Sequence, residues 1–66
     1  MNKIQYFWFI YNEKNEYTNS GSPMGDTTEE KCKQYVIDAC WRKGYRGWLI
    51  GVNLGGVCMQ WKFDKT

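Results

Sequence analysis

The apolar residues of this chain are mostly aromatic, and this limits what the chain can fold into. The sequence contains three Phe, four Trp and five Tyr in 66 residues, but only two Leu and one Ala. A chain this short buries only about 60% of the surface that it exposes when unfolded, and its core contributes roughly 3–5 kcal/mol. We therefore expect a single domain, residues 1–66, with a core built from rings and with further rings left at the surface.

The charged residues argue against several classes of function. Nine Lys and Arg against seven Asp and Glu give a net charge of +2, which alone is too small to indicate nucleic-acid binding. The chain has no His, the commonest general base and metal ligand. We therefore expect no enzyme activity, no cofactor and no metal site.

The cysteines and the longest apolar run predict a cellular location. Cys32, Cys40 and Cys58 lack the CxxC spacing of zinc sites. We expect free thiols in a reducing compartment, the alternative being one disulfide. The apolar run at 4–10 is too short to span a membrane and lacks the cleavage pattern of a signal peptide. The sequence thus predicts a cytoplasmic protein without a membrane partner.

The last third of the chain predicts a β-hairpin. Gly55-Gly56 suits a two-residue turn, and the residues on both sides alternate as they do in strands. With these glycines as the loop, one face of the hairpin carries only apolar pairs, namely Leu54–Val57, Val52–Met59, Ile50–Trp61 and Trp48–Phe63. The opposite face then carries Leu49 with Lys62, Gly51 with Gln60, and Asn53 with Cys58.

The beginning of the chain predicts a second hairpin. A strand from Lys3 to Tyr11 precedes a polar turn at 12–15. One face of the strand holds Ile4, Tyr6, Trp8 and Ile10, to which the return strand adds Tyr17. The other face holds Gln5, Phe7, Phe9 and Tyr11, opposite Glu16, Thr18 and Ser20. Because this strand is apolar on both faces, we place it in the centre of the sheet.

One helix is predicted between the hairpins. Thr27 and Glu30 have the spacing of a capping box, with Asp26 and Glu29 near the positive end of the helix dipole. Gly44 stands where a left-handed cap is expected. Helical spacing assigns to the core Cys32, Tyr35, Val36, Ala39 and Cys40.

Together these elements predict an α+β fold, a small antiparallel β-sheet in the order β-β-α-β-β with one α-helix packed on one face. The other face of the sheet would leave exposed Phe7, Phe9 and Tyr11, with Leu49 as a further candidate. Aromatic clusters of this kind form binding hot spots, so we expect contact with a partner or a second copy. The alternative is that the sheet curls or that the loop at 19–25 folds over the rings.

A second candidate surface lies on the outer face of the helix. Ile37 and Trp41 fall about 140° and 180° around the helix from Cys32, and Lys33 flanks them. These residues predict a second contact or a dimer interface. The alternative is an exposed Trp that packs along the stem of a Lys side chain.

A third candidate is the segment 41–48, WRKGYRGW, which interleaves cations with rings. Single-stranded nucleic acid is bound by such combinations. The alternative is structural, because Arg42 and Lys43 suit a helix C-terminus while Tyr45 and Trp48 point into the core.

The layout resembles tiny bacteriophage-encoded accessory proteins that disable host machinery, including anti-CRISPR and other anti-defence inhibitors. The resemblance is architectural, and it rests on the opening strand KIQYFWFIY, the polar hairpin turn, the capped helix TTEEKCKQYVIDACWRKG and the closing hairpin RGWLIGVNLGGVCMQWKF. It implies a non-enzymatic inhibitor in the host cell cytoplasm that occludes a site on a host protein or ribonucleoprotein complex. No functional residue is carried across from these proteins.

We therefore predict a protein-binding module that acts by steric blocking. Burial is assigned to Phe7, Phe9 and Tyr11, and the helix and the segment after it supply orientation and charge through Lys33, Ile37, Trp41, Arg42 and Arg46. These residues form one surface only if the helix end and the sheet edge are adjacent. The alternatives are a small nucleic-acid-binding protein that uses the segment 41–48, and an assembly subunit. A homodimer is compatible with the protein-binding prediction.

Overall fold

A computed structural model describes residues 3–23 and 27–64 and confirms the predicted α+β class. Four strands form one antiparallel sheet, β1 Gln5–Tyr11, β2 Tyr17–Gly21, β3 Arg46–Asn53 and β4 Gly56–Asp64. Helix α1, Glu29–Cys40, and a 3₁₀ helix, Trp41–Lys43, connect β2 to β3. The strands lie in the order β2-β1-β3-β4, so the prediction that the first strand is central is confirmed.

The turn between β1 and β2 is built around one asparagine. Asn12 Oδ1 accepts hydrogen bonds from the backbone N–H groups of Lys14 and Glu16, each at 2.9 Å. This local bonding explains why a polar stretch ends the strand. Beyond the turn, a β-bulge between Ile10 and Tyr11 shifts the register and sets Tyr17 opposite Tyr11. The prediction that Tyr17 shares a face with Ile10 is therefore wrong, because the bulge adds one residue to β2.

Helix α1 begins one residue later than the capping-box pattern predicts. The N-cap is Thr28, whose side chain accepts a hydrogen bond from the backbone N–H of Lys31. Thr27 instead places its hydroxyl 3.7 Å from the Cys32 thiol, so the Thr27 capping box is wrong. The predicted contribution of Asp26 lies outside the described residues. Gly44 has a φ angle of 68°, which confirms the predicted left-handed cap.

The core lies between α1 and one face of the sheet. The helix contributes Cys32, Val36 and Cys40, and the sheet contributes Tyr6, Ile10 and Leu49. Rings of Trp8, Trp61 and Phe63 pack around this centre, as expected of a chain poor in Leu and Ala. Tyr35, which was assigned to the core, is 49% exposed, although its ring lies 4.4 Å from the Trp8 ring.

Two glycines on β3 leave room for closely packed neighbours on the helix side of the sheet, and at Gly47 the neighbour is the helix itself. A Cβ atom on Gly47 would lie less than 3.0 Å from Val36 Cγ1 and 3.1 Å from Cys40 Sγ. A Cβ atom on Gly51 would lie 2.7 Å from Met59 Cγ. Gly47 and Gly51 therefore flank Leu49 on the helix side of the strand, and Leu49 is fully buried.

The predicted register of the closing hairpin is wrong by one residue. The structure pairs Trp48 with Lys62, Leu49 with Trp61 and Ile50 with Gln60, and the turn is Leu54-Gly55. A bulge at the Gly51/Val52 step lets the strands meet near the turn. The prediction matched apolar residues across the hairpin but did not consider the helix. Val36 of α1 lies so close to β3 that a glycine, and not a tryptophan, fits on the side of the strand that faces it.

Candidate binding surface

The face of the sheet opposite α1 is rich in aromatic and aliphatic side chains, and we call it the open face. From β1 it carries Phe7, Phe9 and Tyr11, as the sequence alternation predicts. All three are half-buried and not fully exposed as predicted, since they pack against their neighbours on the sheet. Their partners on β3 are Ile50, Trp48 and Arg46 respectively. Since these are the two inner strands of the sheet, the rings form the middle of the face and not its border.

The contribution of β3 to the open face is not predicted by the sequence pattern. Trp48 was expected in the core, yet it is 38% exposed on this face. Leu49 was a candidate for the open face, yet it is completely buried on the other one. The signal that could have corrected both is the spacing of Gly47 and Gly51, because glycines four residues apart share one face of a strand and mark the face on which neighbours pack closely.

Five residues surround a shallow depression of about 320 Å³ at one end of the open face, namely Tyr11, Asn15, Arg46, Trp48 and Lys62. Its floor and walls therefore combine two rings, one amide and two cations. A surface of this composition can bury apolar area and at the same time direct charged hydrogen-bond donors at a partner.

Arg46 is held in place at the depression by two neighbours. Its Nε lies 3.2 Å from Asp64 Oδ2, and its Nη1 donates a hydrogen bond to Asn15 Oδ1. Lys62 Nζ lies 5.4 Å from the centre of the Trp48 ring and 3.9 Å from Asp64 Oδ2. The cluster therefore has an excess of only one positive charge, and the arginine is already ordered before any ligand arrives.

Four other predicted site residues lie on the helix side of the molecule, along the flank of α1 that faces β4. Lys33 Nζ makes an ion pair with Glu29 at 2.8 Å and lies 5.6 Å from the centre of the Trp61 ring. The Trp41 ring lies 6.4 Å from the Phe63 ring and is 53% exposed. A second depression, of about 510 Å³, is lined by Ile37, Asp38, Trp41 and Arg42. We call Lys33, Ile37, Trp41 and Arg42 the helix flank.

The predicted site residues thus form two surfaces and not one. Phe7, Phe9, Tyr11 and Arg46 lie on the open face, whereas the helix flank lies on the opposite side of the sheet. The segment 41–48 is divided in the same way, with Trp41 on the helix side and Trp48 on the open face. Tyr45 packs against the core as expected.

Cys32, Cys40 and Tyr6 belong to the core, whereas Cys58 does not. All three cysteines are free; Cys32 and Cys40 are buried and Cys58 is exposed. Burial raises the pKa of the Cys40 thiol, and burial followed by the nearby Glu29 carboxylate raises the pKa of the Tyr6 hydroxyl. Within residues 3–23 and 27–64, no three His, Cys, Asp or Glu side chains are grouped to hold a metal ion.

No family model, curated protein or solved structure matches this chain. In the described part of the chain, no helix is both long and apolar enough to cross a membrane.

Proposed function

We propose that the chain is a non-enzymatic protein-binding module whose open face docks onto a partner and blocks it sterically. The observation that carries the proposal is the cross-strand pair of Phe9 and Trp48 at the middle of a sheet face that faces away from the helix. Aromatic side chains at the centre of an interface contribute a large share of binding energy. A chain with so small a core would gain more stability from burying these rings internally, so their outward position favours a binding role.

The charges around the rings suggest what the partner presents. Arg46 is ordered by Asn15 and Asp64, so little conformational entropy is lost when its remaining donors bind an acceptor. Lys62 lies on the same side. The partner that fits is a protein surface with an apolar centre and one or two carboxylates at its border.

The biological setting follows from the architectural resemblance of the sequence to phage-encoded inhibitors. In this setting the partner is a bacterial defence complex, of the CRISPR type or another, or a different host protein or ribonucleoprotein complex in the cytoplasm. A small rigid domain inhibits such a complex by covering a site that a substrate or subunit must reach, and it needs no catalytic residue to do so.

Single-stranded nucleic acid fits the open face less well. Binding to a strand depends on several cations that neutralise successive phosphates. The depression has Arg46 and Lys62, and both are within 4 Å of the Asp64 carboxylate. The two cations Arg42 and Lys43 belong to the 3₁₀ helix that follows α1, and Arg42 lies on the helix flank. The open face thus combines aromatic rings with few cations, and this combination favours a protein partner over a nucleic acid.

A capture experiment with two matched tryptophan variants tests the proposal. Tagged wild type, Trp48→Ala and Trp41→Ala are immobilised and exposed to nuclease-treated bacterial lysate at moderate salt. We expect one stoichiometric complex on the wild type and on Trp41→Ala, and its loss on Trp48→Ala. Equal retention by both variants contradicts the proposal. Retention that requires intact nucleic acid and falls steeply with salt supports the nucleic-acid alternative instead.

A further inference from the structure

We propose that the chain forms a homodimer in which β4 pairs antiparallel with β4 of a second copy. β4 lies at the border of the sheet and spans nine residues, Gly56–Asp64. Within residues 3–23 and 27–64, β3 is the only strand bonded to it. An edge strand of this length presents a row of backbone N–H and C=O groups that can bond to another strand.

The two edges of the sheet differ in how well they are protected from pairing with a strand of another molecule. The other edge strand, β2, has only five residues, and its bulge faces Ile10 and Tyr11. Short strands and bulges are the devices that keep sheet edges from pairing. In β4 the bulge lies near the turn, at the Gly51/Val52 step of β3, and it leaves 59–64 in regular pairing. The longer and more regular edge is therefore the one open to a second strand.

The regular part of β4 is complementary to itself. Met59, Trp61 and Phe63 point to the helix side, where they pack on or beside the core, and Gln60, Lys62 and Asp64 alternate with them. A two-fold axis normal to the sheet at Trp61 sets Met59 opposite Phe63 and Gln60 opposite Lys62 of the second copy. This register keeps apolar residues against apolar ones and sets no like charges directly opposite each other.

The helix flank supports the choice of a second copy as the occupant. α1 of both copies would lie on the same side of the joined sheet, because the axis is normal to it. The depression lined by Ile37 and Trp41 lies beside Phe63, so in this register it would lie next to Met59 of the second copy. Lys33, which lies over the Trp61 ring and pairs with Glu29, would lie near the two-fold axis. The dimer thus gives the Trp41 ring, which already lies 6.4 Å from the Phe63 ring, a second apolar neighbour, and it adds buried surface to a thin core. It leaves the rings of both open faces accessible, and of the residues that line the depression there only Lys62 would lie beside the contact between the two copies.

Two substitutions at one exposed position test the register. Gln60→Lys would set a lysine opposite Lys62 of the second copy, and Gln60→Glu would set a carboxylate there, at two symmetric places in each dimer. We expect the dimer dissociation constant, measured by sedimentation velocity at low salt, to rise about fivefold for Gln60→Lys and to fall about fivefold for Gln60→Glu. Gln60 is exposed, so neither change should disturb the monomer fold, which circular dichroism checks.

A cross-linking experiment provides an independent readout. In a Cys58→Ser background, thiols introduced by Gln60→Cys and Lys62→Cys on separate chains should form a mixed disulfide faster than either forms with itself. A monomer at all accessible concentrations, or a dimer that responds to neither change at position 60, overturns the proposal. So does a dimer that is lost with Phe7→Ala, since Phe7 lies on the open face on a strand that does not adjoin β4 and its loss places the contact on that face. Partner capture by the open face can fail while the dimer persists, so the two proposals are tested separately.

Discussion

Replacing Gly47 with alanine tests how closely α1 lies on β3. The added Cβ atom would lie 3.7 Å from Val36 Cβ, an ordinary contact, but less than 3.0 Å from Val36 Cγ1. Val36 is fully buried, so its side chain has no free space to rotate into and the helix must move instead. Overpacking of this kind costs about 1–3 kcal/mol, a large part of the roughly 3–5 kcal/mol that a core of this size supplies.

A second substitution should relieve the crowding. Val36→Ala removes Cγ1 and by itself costs about 2 kcal/mol, since two buried methyl groups are lost. In the double variant the new Cβ at position 47 lies at the ordinary 3.7 Å from the Cβ at position 36. We therefore expect the double variant to be about 1–2 kcal/mol more stable than the sum of the two single losses predicts.

Urea unfolding followed by tryptophan fluorescence measures these differences. Gly55→Ala is the control, because its added Cβ would meet only Asn53 Oδ1, at 3.4 Å, and we expect a change of less than about 0.5 kcal/mol. Strict additivity of Gly47→Ala and Val36→Ala, or an unchanged midpoint for Gly47→Ala, would refute the packing and with it the observed register of β3.

Two further predictions concern the helix start and the core thiol. Thr28→Ala should lower the free energy of unfolding by about 1 kcal/mol, with Thr28→Ser restoring most of it, since the Thr28 hydroxyl caps the N–H of Lys31; a larger loss for Thr27→Ala in the same urea titration would contradict this. Burial raises the folded-state pKa of Cys40, so its contribution is fully present below the unfolded thiol value of about 8.5 and is lost as the pH rises through the folded value. The free energy of unfolding should thus fall as the pH rises from about 8.5 towards the folded value, and less steeply in Cys40→Ala; equal slopes would contradict the raised pKa of Cys40.

Local signals in the sequence were sufficient to predict that two hairpins and one helix form. The polar turn after Tyr11 and the glycine at 44 each end an element through backbone bonding or a left-handed conformation, and both depend on neighbouring residues alone. The central position of β1 was also predicted correctly. A strand that is apolar on both faces is typical of the middle of a sheet, where a strand lies on each side of it.

The register of β3 and β4 could not be found by matching residues within the hairpin. Pairing Trp48 with Phe63 satisfies the hairpin by itself, yet it would point Trp48 at the helix in the space where Val36 lies. The helix decides between the two registers, and its closeness to Gly47 is a tertiary property. The same error moved Trp48 into the predicted core and Leu49 out of it.

The division of the candidate site into two surfaces has the same origin. Arg42 and Arg46 are four residues apart in the sequence, yet Gly44 reverses the chain between the helix and β3. Arg42 therefore remains on the helix flank, whereas Arg46 joins Tyr11 at the open face. A pattern of cations and rings in the sequence does not show which side of a sheet each residue takes.

Site-specific photo-cross-linking tests the central claim, that the open face is the docking surface, most directly. A benzophenone amino acid replaces Phe9 on the open face or, as the control, Gln34 on the exposed side of α1, and each protein is irradiated in nuclease-treated bacterial lysate. We expect a single protein adduct from position 9 and none from position 34. Equal labelling from both positions, or an adduct from position 34 alone, would contradict it.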